Sequence, residues 1–274
     1  MGQFEEMFSL KGRTVLLTGG AGFLGSQYCI ALISAGANVI VVDFDEKKLK
    51  SLKTTLTTSE LSRTLFCHNN ILDKEQMRSV LQNAVSKFGK IDILINNAAN
   101  NPTMSKPLIN SRFETMSLDE WARDIDVGIT GAFICSQVFG FHMNSNRNGL
   151  IINIASDLGV IAPDQRLYIK DGENWEDQSV KPVTYSVCKS AVIGLTRYLS
   201  TYWINNNVRS NALVIGGMYN EQDNSFVERI NKLIPMGRMA KHGEYSASIV
   251  YMCSDAASYM NGSIITIDGG RTAW

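Results

Sequence analysis

Thr14-Val15-Leu16-Leu17-Thr18-Gly19-Gly20-Ala21-Gly22-Phe23-Leu24-Gly25 sets the architecture. A short apolar run ends abruptly in glycines, and a helical period of apolar residues begins at once, over 23–35. Gly20, Gly22 and Gly25 satisfy G-x-G-x-x-G between a strand and a helix. There, glycines permit a tight turn and let a pyrophosphate approach the free N–H groups and positive dipole end of the helix. An ordinary glycine-rich turn has the same spacing, so the next acidic residue decides. Asp43 closes the second apolar run, 39–43, where a carboxylate accepts an adenosine ribose hydroxyl. The same charge repels a 2′-phosphate, so the expected cofactor is NAD, with NADP disfavoured. Gly19, Gly22, Phe23, Leu24, Gly25 and Asp43 are the expected cofactor-binding residues at this end.

Outward from this turn the alternation repeats. Further strands are predicted over 65–68, 91–95, 150–155, 208–214 and 263–267. Helices are predicted over 46–57, 74–88, 118–139, 183–203, 223–233 and 245–253. Strands that are apolar throughout are buried on both faces, which means a parallel sheet under helices on each side. The fold class is α/β, a doubly wound parallel sheet of the Rossmann type with about seven strands, in one domain over 1–274. Its ligand lies beyond the carboxyl ends of the strands. A polar stretch over 162–181 breaks the rhythm. It carries Tyr168 and Trp175 and reads as a partly ordered flap.

The 274 residues carry 26 basic and 26 acidic side chains, so no net field draws the chain to nucleic acid or an anionic membrane. With 45% hydrophobic and 19% charged residues it can bury a sizeable core. The first ten residues hold two glutamates and no apolar run, unlike a secretory signal. The run 29–42 is broken by Ser34, Gly36 and Asn38, unlike a membrane span. Cys29, Cys67, Cys135, Cys188 and Cys253 form no CxxC, which suits a reducing cytoplasm and neither a disulfide frame nor a zinc site. His68, His142 and His242 share no spacing, so no metal is expected.

Tyr185 and Lys189 are four apart on a predicted helix and leave the same face. A phenol titrates near pH 10 when unperturbed, and a cation beside it lowers that by about 1–3 units. Such tuning suits a general acid/base for alcohol–ketone interconversion. Ser156, at the carboxyl end of the fifth strand, offers a hydroxyl to hold the substrate oxygen. Cys188 lies on another helix face and reads as packing.

Several stretches resemble the compact, single-domain branch of the short-chain dehydrogenase/reductase family. They are Asn96-Asn97-Ala98-Ala99, Asn153-Ile154-Ala155-Ser156, Tyr185-Ser186-Val187-Cys188-Lys189, Val208-Arg209-Ser210-Asn211-Ala212 and Asp268-Gly269-Gly270. The resemblance covers nearly the whole chain. It implies a hydride moving between the nicotinamide C4 and a substrate carbon. Tyr185 is then the proton donor or acceptor, Ser156 the orienting group, and Lys189 the residue that binds the nicotinamide ribose and lowers the phenol's pKa. It places Asn70 and Ile71 at the adenine, Asn97 with Ala98 on the adenosine side, and Gly216 with Met218 at the nicotinamide amide. It also implies a homo-oligomer, dimer or tetramer, built through the helices 118–139 and 183–203.

Three positions depart from that pattern. The glycine turn has the spacing of the family's larger, sugar-nucleotide-modifying branch, with Phe23 for a glycine, which reads as a local shift of the turn. Gly128 replaces an asparagine that would hold a water connecting the lysine to solvent. Either water fills the vacated space or the chemistry is slowed. Ile215 replaces the proline usual before the nicotinamide loop, which weakens the assignment of Met218.

The flap and the segment 218–234 cover the substrate side, where Ser156, Arg166, Tyr168 and Asn220, with Lys170 nearby, suit a polyhydroxylated or carboxylated small molecule. Arg166 could pair with a phosphate or carboxylate. The stretches 162–168 and 270–274 resemble a subgroup similar to flagellin-modification oxidoreductases of nonulosonic-acid pathways. The leading expectation is an NAD-dependent oxidoreductase acting on a sugar, sugar phosphate or sugar nucleotide. A sugar-nucleotide epimerase or dehydratase with retained NAD, and a non-catalytic dinucleotide-binding regulator, stay open beside it.

Overall fold

The computed structural model describes residues 2–100, 112–169, 172 and 174–274. A short helix α1 (Gln3–Met7), which the apolar spacing does not announce, leads into β1 (Thr14–Thr18) and α2 (Phe23–Ser34). Then follow β2 (Asn38–Asp43), α3 (Glu46–Thr54), α4 (Thr58–Ser62), β3 (Thr64–His68), α5 (Lys74–Phe88) and β4 (Ile93–Asn96). The second half runs α6 (Leu118–Ile125), α7 (Gly131–Ser145), β5 (Gly149–Ser156), α8 (Val183–Tyr202), β6 (Val208–Ile215), α9 (Asn224–Asn231), α10 (Ser246–Cys253) and β7 (Ile264–Ile267). The seven strands form one sheet in the order β3-β2-β1-β4-β5-β6-β7, every neighbouring pair parallel. This is the doubly wound α/β sheet that the apolar runs predict.

Alternation along a strand explains why both faces need helices. Val15 and Leu17 of β1 join a cluster with Leu32 of α2 and Met252 of α10. Leu16, between them, joins Met77 of α5 and Phe139 of α7 on the opposite face. All strands point the same way, so Thr18, Asp43, Asn96, Ser156 and Ile215 end at one edge. A buried polar stitch crosses the middle of the sheet. Asn96 Nδ2 donates to Asn153 Oδ1 at 2.9 Å, and Asn153 Nδ2 donates to Thr196 Oγ1 at 2.8 Å. It ties β4 and β5 to α8, the helix that carries Tyr185.

Two predicted helices are divided. The stretch 46–57 ends at Thr54, because Thr57 caps a new helix. Its hydroxyl accepts from Glu60 N, and Glu60 Oε2 accepts from Thr57 N at 2.8 Å, a capping box that competes with continuation. The stretch 118–139 extends to Ser145 but is interrupted by a π-turn over Asp126–Thr130. Gly128 within it and Gly131 just after it have no room for a Cβ: one would strike Cys188, the other Ile71. The extra residue of a π-turn lets the helix meet both neighbours that closely. The stretch 118–145 is long and apolar enough by composition to cross a membrane. In the fold its α7 part packs Cys135, Phe139 and Met143 against the sheet.

The flap is folded over Gln165–Tyr168 and Trp175–Asp177 as single 3₁₀ turns, the first capped by Asp164, whose carboxylate accepts from Arg166 N at 3.0 Å. Lys170 lies outside the described residues.

Candidate active site

The turn after β1 is shaped by close backbone approach. Gly19 has φ +59, and a Cβ on it would stand 2.8 Å from Ala98 Cα. A Cβ on Gly25 would collide with the Gly19 carbonyl oxygen. Gly22 is the N-cap of α2, and no side chain caps that helix end. Neighbouring strands brace the turn. Asn97 Nδ2 donates to the carbonyls of Thr18 and Gly19 at 3.0 and 3.1 Å, and Thr18 Oγ1 accepts from the N–H groups of Asn97 and Ala98. The buried Asp43 carboxylate accepts from Ala21 N through Oδ2 and from Asp45 N through Oδ1, each at 3.0 Å. An uncapped helix N-terminus, a backbone stripped of Cβ atoms and a carboxylate beside them fit the pyrophosphate and ribose of a dinucleotide.

Phe23 enters α2 as its first residue, half exposed and edge-on to His242 at 5.9 Å, while Leu24 packs on the core. Past β3, Asn70 N donates to Gln76 Oε1 and Asn70 Oδ1 accepts from Leu72 N, which fixes the turn that carries Ile71. Past β6, the Gly216 carbonyl accepts from the Tyr245 hydroxyl at 3.0 Å. Met218 pairs with Ala240 in a single parallel bridge, its Sδ 3.5 Å from Gln27 Nε2.

Ser156 ends β5, and its hydroxyl donates to Asp157 Oδ1 at 2.7 Å. Tyr185 lies on the first turn of α8; Ser156 lowers its pKa, but the larger effect of burial holds the phenol above its usual value. Lys189, one turn on, is buried and donates to the Ile154 carbonyl at 2.8 Å. Loss of solvent pushes its ammonium down to about 8. The Lys189 nitrogen lies 5.8 Å from the Tyr185 ring centre. Burial also raises the Asp157 carboxyl, with the Ser156 hydrogen bond opposing. Tyr168 is buried against Phe226, ring centres 5.6 Å apart, and burial followed by the charge of Asp157 raises its phenol.

Serine, both tyrosines and Lys189 therefore gather where the sequence reading sets them. Arg166 and Asn220 lie outside that group: Arg166 is exposed, its guanidinium held by Asp164 at 2.9 and 2.7 Å, and Asn220 is exposed on its loop. Buried Asp157 and half-buried Lys181 border this group and carry no motif. Asp157 follows Ser156 directly, and Lys181 precedes the proline that starts α8. Their positions were legible and their burial was not.

The space beside Gly128 differs from expectation. It is closed by the Cys188 side chain, whose Sγ is 3.5 Å from the Asp124 carbonyl. Gly128→Asn then has to displace a thiol from a packed wall, which costs about 1–3 kcal/mol. Urea unfolding should show that loss, and Cys188→Ala in the same chain should recover most of it.

The short chain dehydrogenase family matches residues 13–168, and the family described as Enoyl-(Acyl carrier protein) reductase matches residues 173–272. The chain is 28% identical to the D-threitol dehydrogenase of Mycolicibacterium smegmatis, covering 97% of this chain and 95% of that protein. It superposes on the gluconate 5-dehydrogenase of Burkholderia cenocepacia J2315 in complex with NADP and tartrate, with TM-score 0.83, 25% identity, and 99% and 100% of the two chains covered. A short chain dehydrogenase of Leptospira borgpetersenii with bound NAD+ gives TM-score 0.83 and 25% identity over 99% of this chain and 96% of that one. These matches span the glycine turn, the sheet and the Tyr185 helix together, and the chain belongs to the short-chain dehydrogenase family of NAD(P)-dependent oxidoreductases.

Proposed function

We propose that this chain is an NAD-dependent oxidoreductase that interconverts a secondary alcohol and a ketone on a polyhydroxylated small molecule: a sugar, sugar phosphate or sugar nucleotide of surface-glycan or flagellin-sugar synthesis. The observation that carries the reading is the half-buried phenol of Tyr185 beside Ser156, with the Lys189 nitrogen 5.8 Å from its ring centre. Similarity to a threitol and a gluconate dehydrogenase supports the polyhydroxylated class. The surface-sugar setting rests on the subgroup resemblance of 162–168 and 270–274.

When bound, the cofactor supplies the hydride acceptor or donor at its nicotinamide C4. In the oxidation direction the Tyr185 oxygen, as phenolate, takes the proton of the substrate hydroxyl. Ser156 holds the substrate oxygen, and the Lys189 ammonium stabilises the phenolate. Gly22, Gly25 and the first turn of α2 take the pyrophosphate, and Asp43 takes the adenosine ribose. Relatives carry either dinucleotide, so the choice of NAD rests on Asp43, whose charge opposes a 2′-phosphate. NADH is expected to bind at least about 10-fold tighter than NADPH, a difference of roughly 1.4 kcal/mol. Calorimetry with both cofactors checks this, and tighter NADPH binding would reverse the assignment.

Exposed Phe133 and Phe141 on α7, with Tyr198 and Tyr202 on α8, make these helices the proposed homo-oligomer contact. The five cysteines are buried and unpaired, which suits the cytoplasm. The deciding experiment is NAD+ reduction with glycerol, D-threitol, gluconate and UDP-sugars. Turnover of a polyol or sugar derivative supports the reading. Turnover confined to acyl thioester ketones would refute it.

A further inference from the structure

Asp157 holds an open carboxylate oxygen beside Ser156. The residue begins a single 3₁₀ turn, Asp157–Gly159, where β5 ends. That turn is fixed to α8, the helix of Tyr185. Ser190 Oγ donates to the Gly159 carbonyl at 2.9 Å, and a Cβ on Gly159 would stand 2.7 Å from the Lys189 backbone. Asp157 keeps only 7% of its surface open. Its Oδ1 is filled, accepting from Ser156 Oγ at 2.7 Å and from Leu158 N at 2.9 Å. Its Oδ2 accepts no hydrogen bond among the described residues. A buried carboxylate oxygen without a donor is costly, so the site favours a ligand that brings one. The Asp157 charge raises the pKa of Tyr185, Tyr168 and Tyr245, which puts it at the same edge of the sheet as the proton-transfer group. The Ser156 hydroxyl, the Leu158 N–H and the charge of Arg271 favour the ionised carboxylate against burial.

We propose that Asp157 is a specificity-determining residue whose open Oδ2 accepts the hydroxyl on the carbon next to the one oxidised, so that the substrate is a vicinal diol and the product an α-hydroxy ketone. This rests on Ser156 and Tyr185 acting on an alcohol, the function proposed above. Ser156 Oγ, which holds the reacting oxygen, is one hydrogen bond from the Asp157 carboxylate. The two oxygens of a carboxylate share one carbon, and hydroxyls on adjacent carbons can stand little more than a hydrogen-bond length apart. A substrate seated on Ser156 can therefore bring its neighbouring hydroxyl to Oδ2. In the oxidation the carbinol C–H bond gives its hydride to the nicotinamide C4, and the reacting hydroxyl gives its proton to Tyr185. The neighbouring hydroxyl keeps its proton, donated to Asp157, and leaves unchanged in the product. A lone alcohol leaves Oδ2 unfilled. A site built to bind a hydroxyl rejects the analogue that lacks it, because its own buried group stays unpaired.

The test compares the best of the 2,3-butanediol stereoisomers with 2-butanol in NAD+ reduction by the full chain, at mildly alkaline pH where the carboxyl is ionised. The two alcohols differ by the neighbouring hydroxyl alone. The diol should be favoured in kcat/KM by about 10–100-fold, the usual contribution of a hydrogen bond to a charged group. Asp157→Asn keeps an oxygen for Ser156 and loses the charge, and should lower that ratio by about 10-fold. Asp157→Ala should bring the ratio close to one. A structural role exerted through Ser156 would slow both alcohols alike and leave the ratio where it was. A parent ratio near one, or a ratio unchanged in the folded variants, overturns the proposal. If the chain oxidises neither alcohol, calorimetric titration of its NADH complex with D-threitol decides. Binding by the parent that Asp157→Ala loses supports the proposal; equal binding by both, or none by the parent, overturns it. Failure to oxidise any alcohol or sugar counts against the oxidoreductase reading and leaves this binding comparison readable, so the two fail separately.

Discussion

Tyr185→Phe is expected to lower kcat by about 10²–10⁴-fold, the usual contribution of one well-placed proton-transfer group. The phenyl ring fits the same buried site, so unfolding and NADH binding should stay near the parent. Ser156 already donates to Asp157 at 2.7 Å, so removing the phenol hydroxyl leaves no buried serine unpaired. Loss should therefore fall on turnover rather than on folding. Single-turnover measurement of NADH formation separates the two, because slow product release would hide part of the effect in steady state. A variant with kcat within a few-fold of the parent would remove the phenol from the reaction. A regulator that only senses the dinucleotide should keep its biological effect in this variant, which distinguishes it from an enzyme.

The second large effect is expected at the glycine turn. Gly25→Ala puts a methyl group against the Gly19 carbonyl, and backbone cannot step aside as a flexible side chain can. Strain of about 1–3 kcal/mol follows if the turn keeps its shape, and relief of that strain opens the N-terminus of α2. NADH affinity should fall by about 10–100-fold. Gly22→Ala provides the contrast, since its Cβ would meet only the Gly19 oxygen, at 3.2 Å. Isothermal calorimetry on the pair should show the larger loss at Gly25. Equal losses would mean that the approach of the cofactor, rather than the fit of α2 under the turn, governs binding.

How much of this could be read from sequence depended on whether the signal was local. Apolar runs over 39–42 and 150–152 revealed their strands because a strand buried on both faces has no polar alternation to confuse it. Tyr185 and Lys189 were legible as a pair because helical spacing alone puts them on one face. The break at Asp126–Thr130 was not, since it answers to Cys188 and Ile71, residues distant in sequence. The capping box at Thr57 and Glu60 was present in the sequence and was outweighed by the helical pattern around it. Arg166 shows the opposite limit. Its charge suggested a ligand, yet a carboxylate two residues earlier already engages it. Lys181 carried no motif, and its backbone bonds to Gln165 join residues sixteen apart.

The all-parallel strand order also bears on how the chain reaches this state. Among the described residues no two strands are joined by a tight hairpin, so every pairing in the sheet closes a long crossover before it is rewarded. Sequence-distant contacts of this kind slow folding relative to helical bundles of similar stability. Until β1 is enclosed between β2 and β4, its unpaired edge, apolar from Val15 to Leu17, is open to other chains. Recovery from denaturant should accordingly be slow and should lose yield as protein concentration rises.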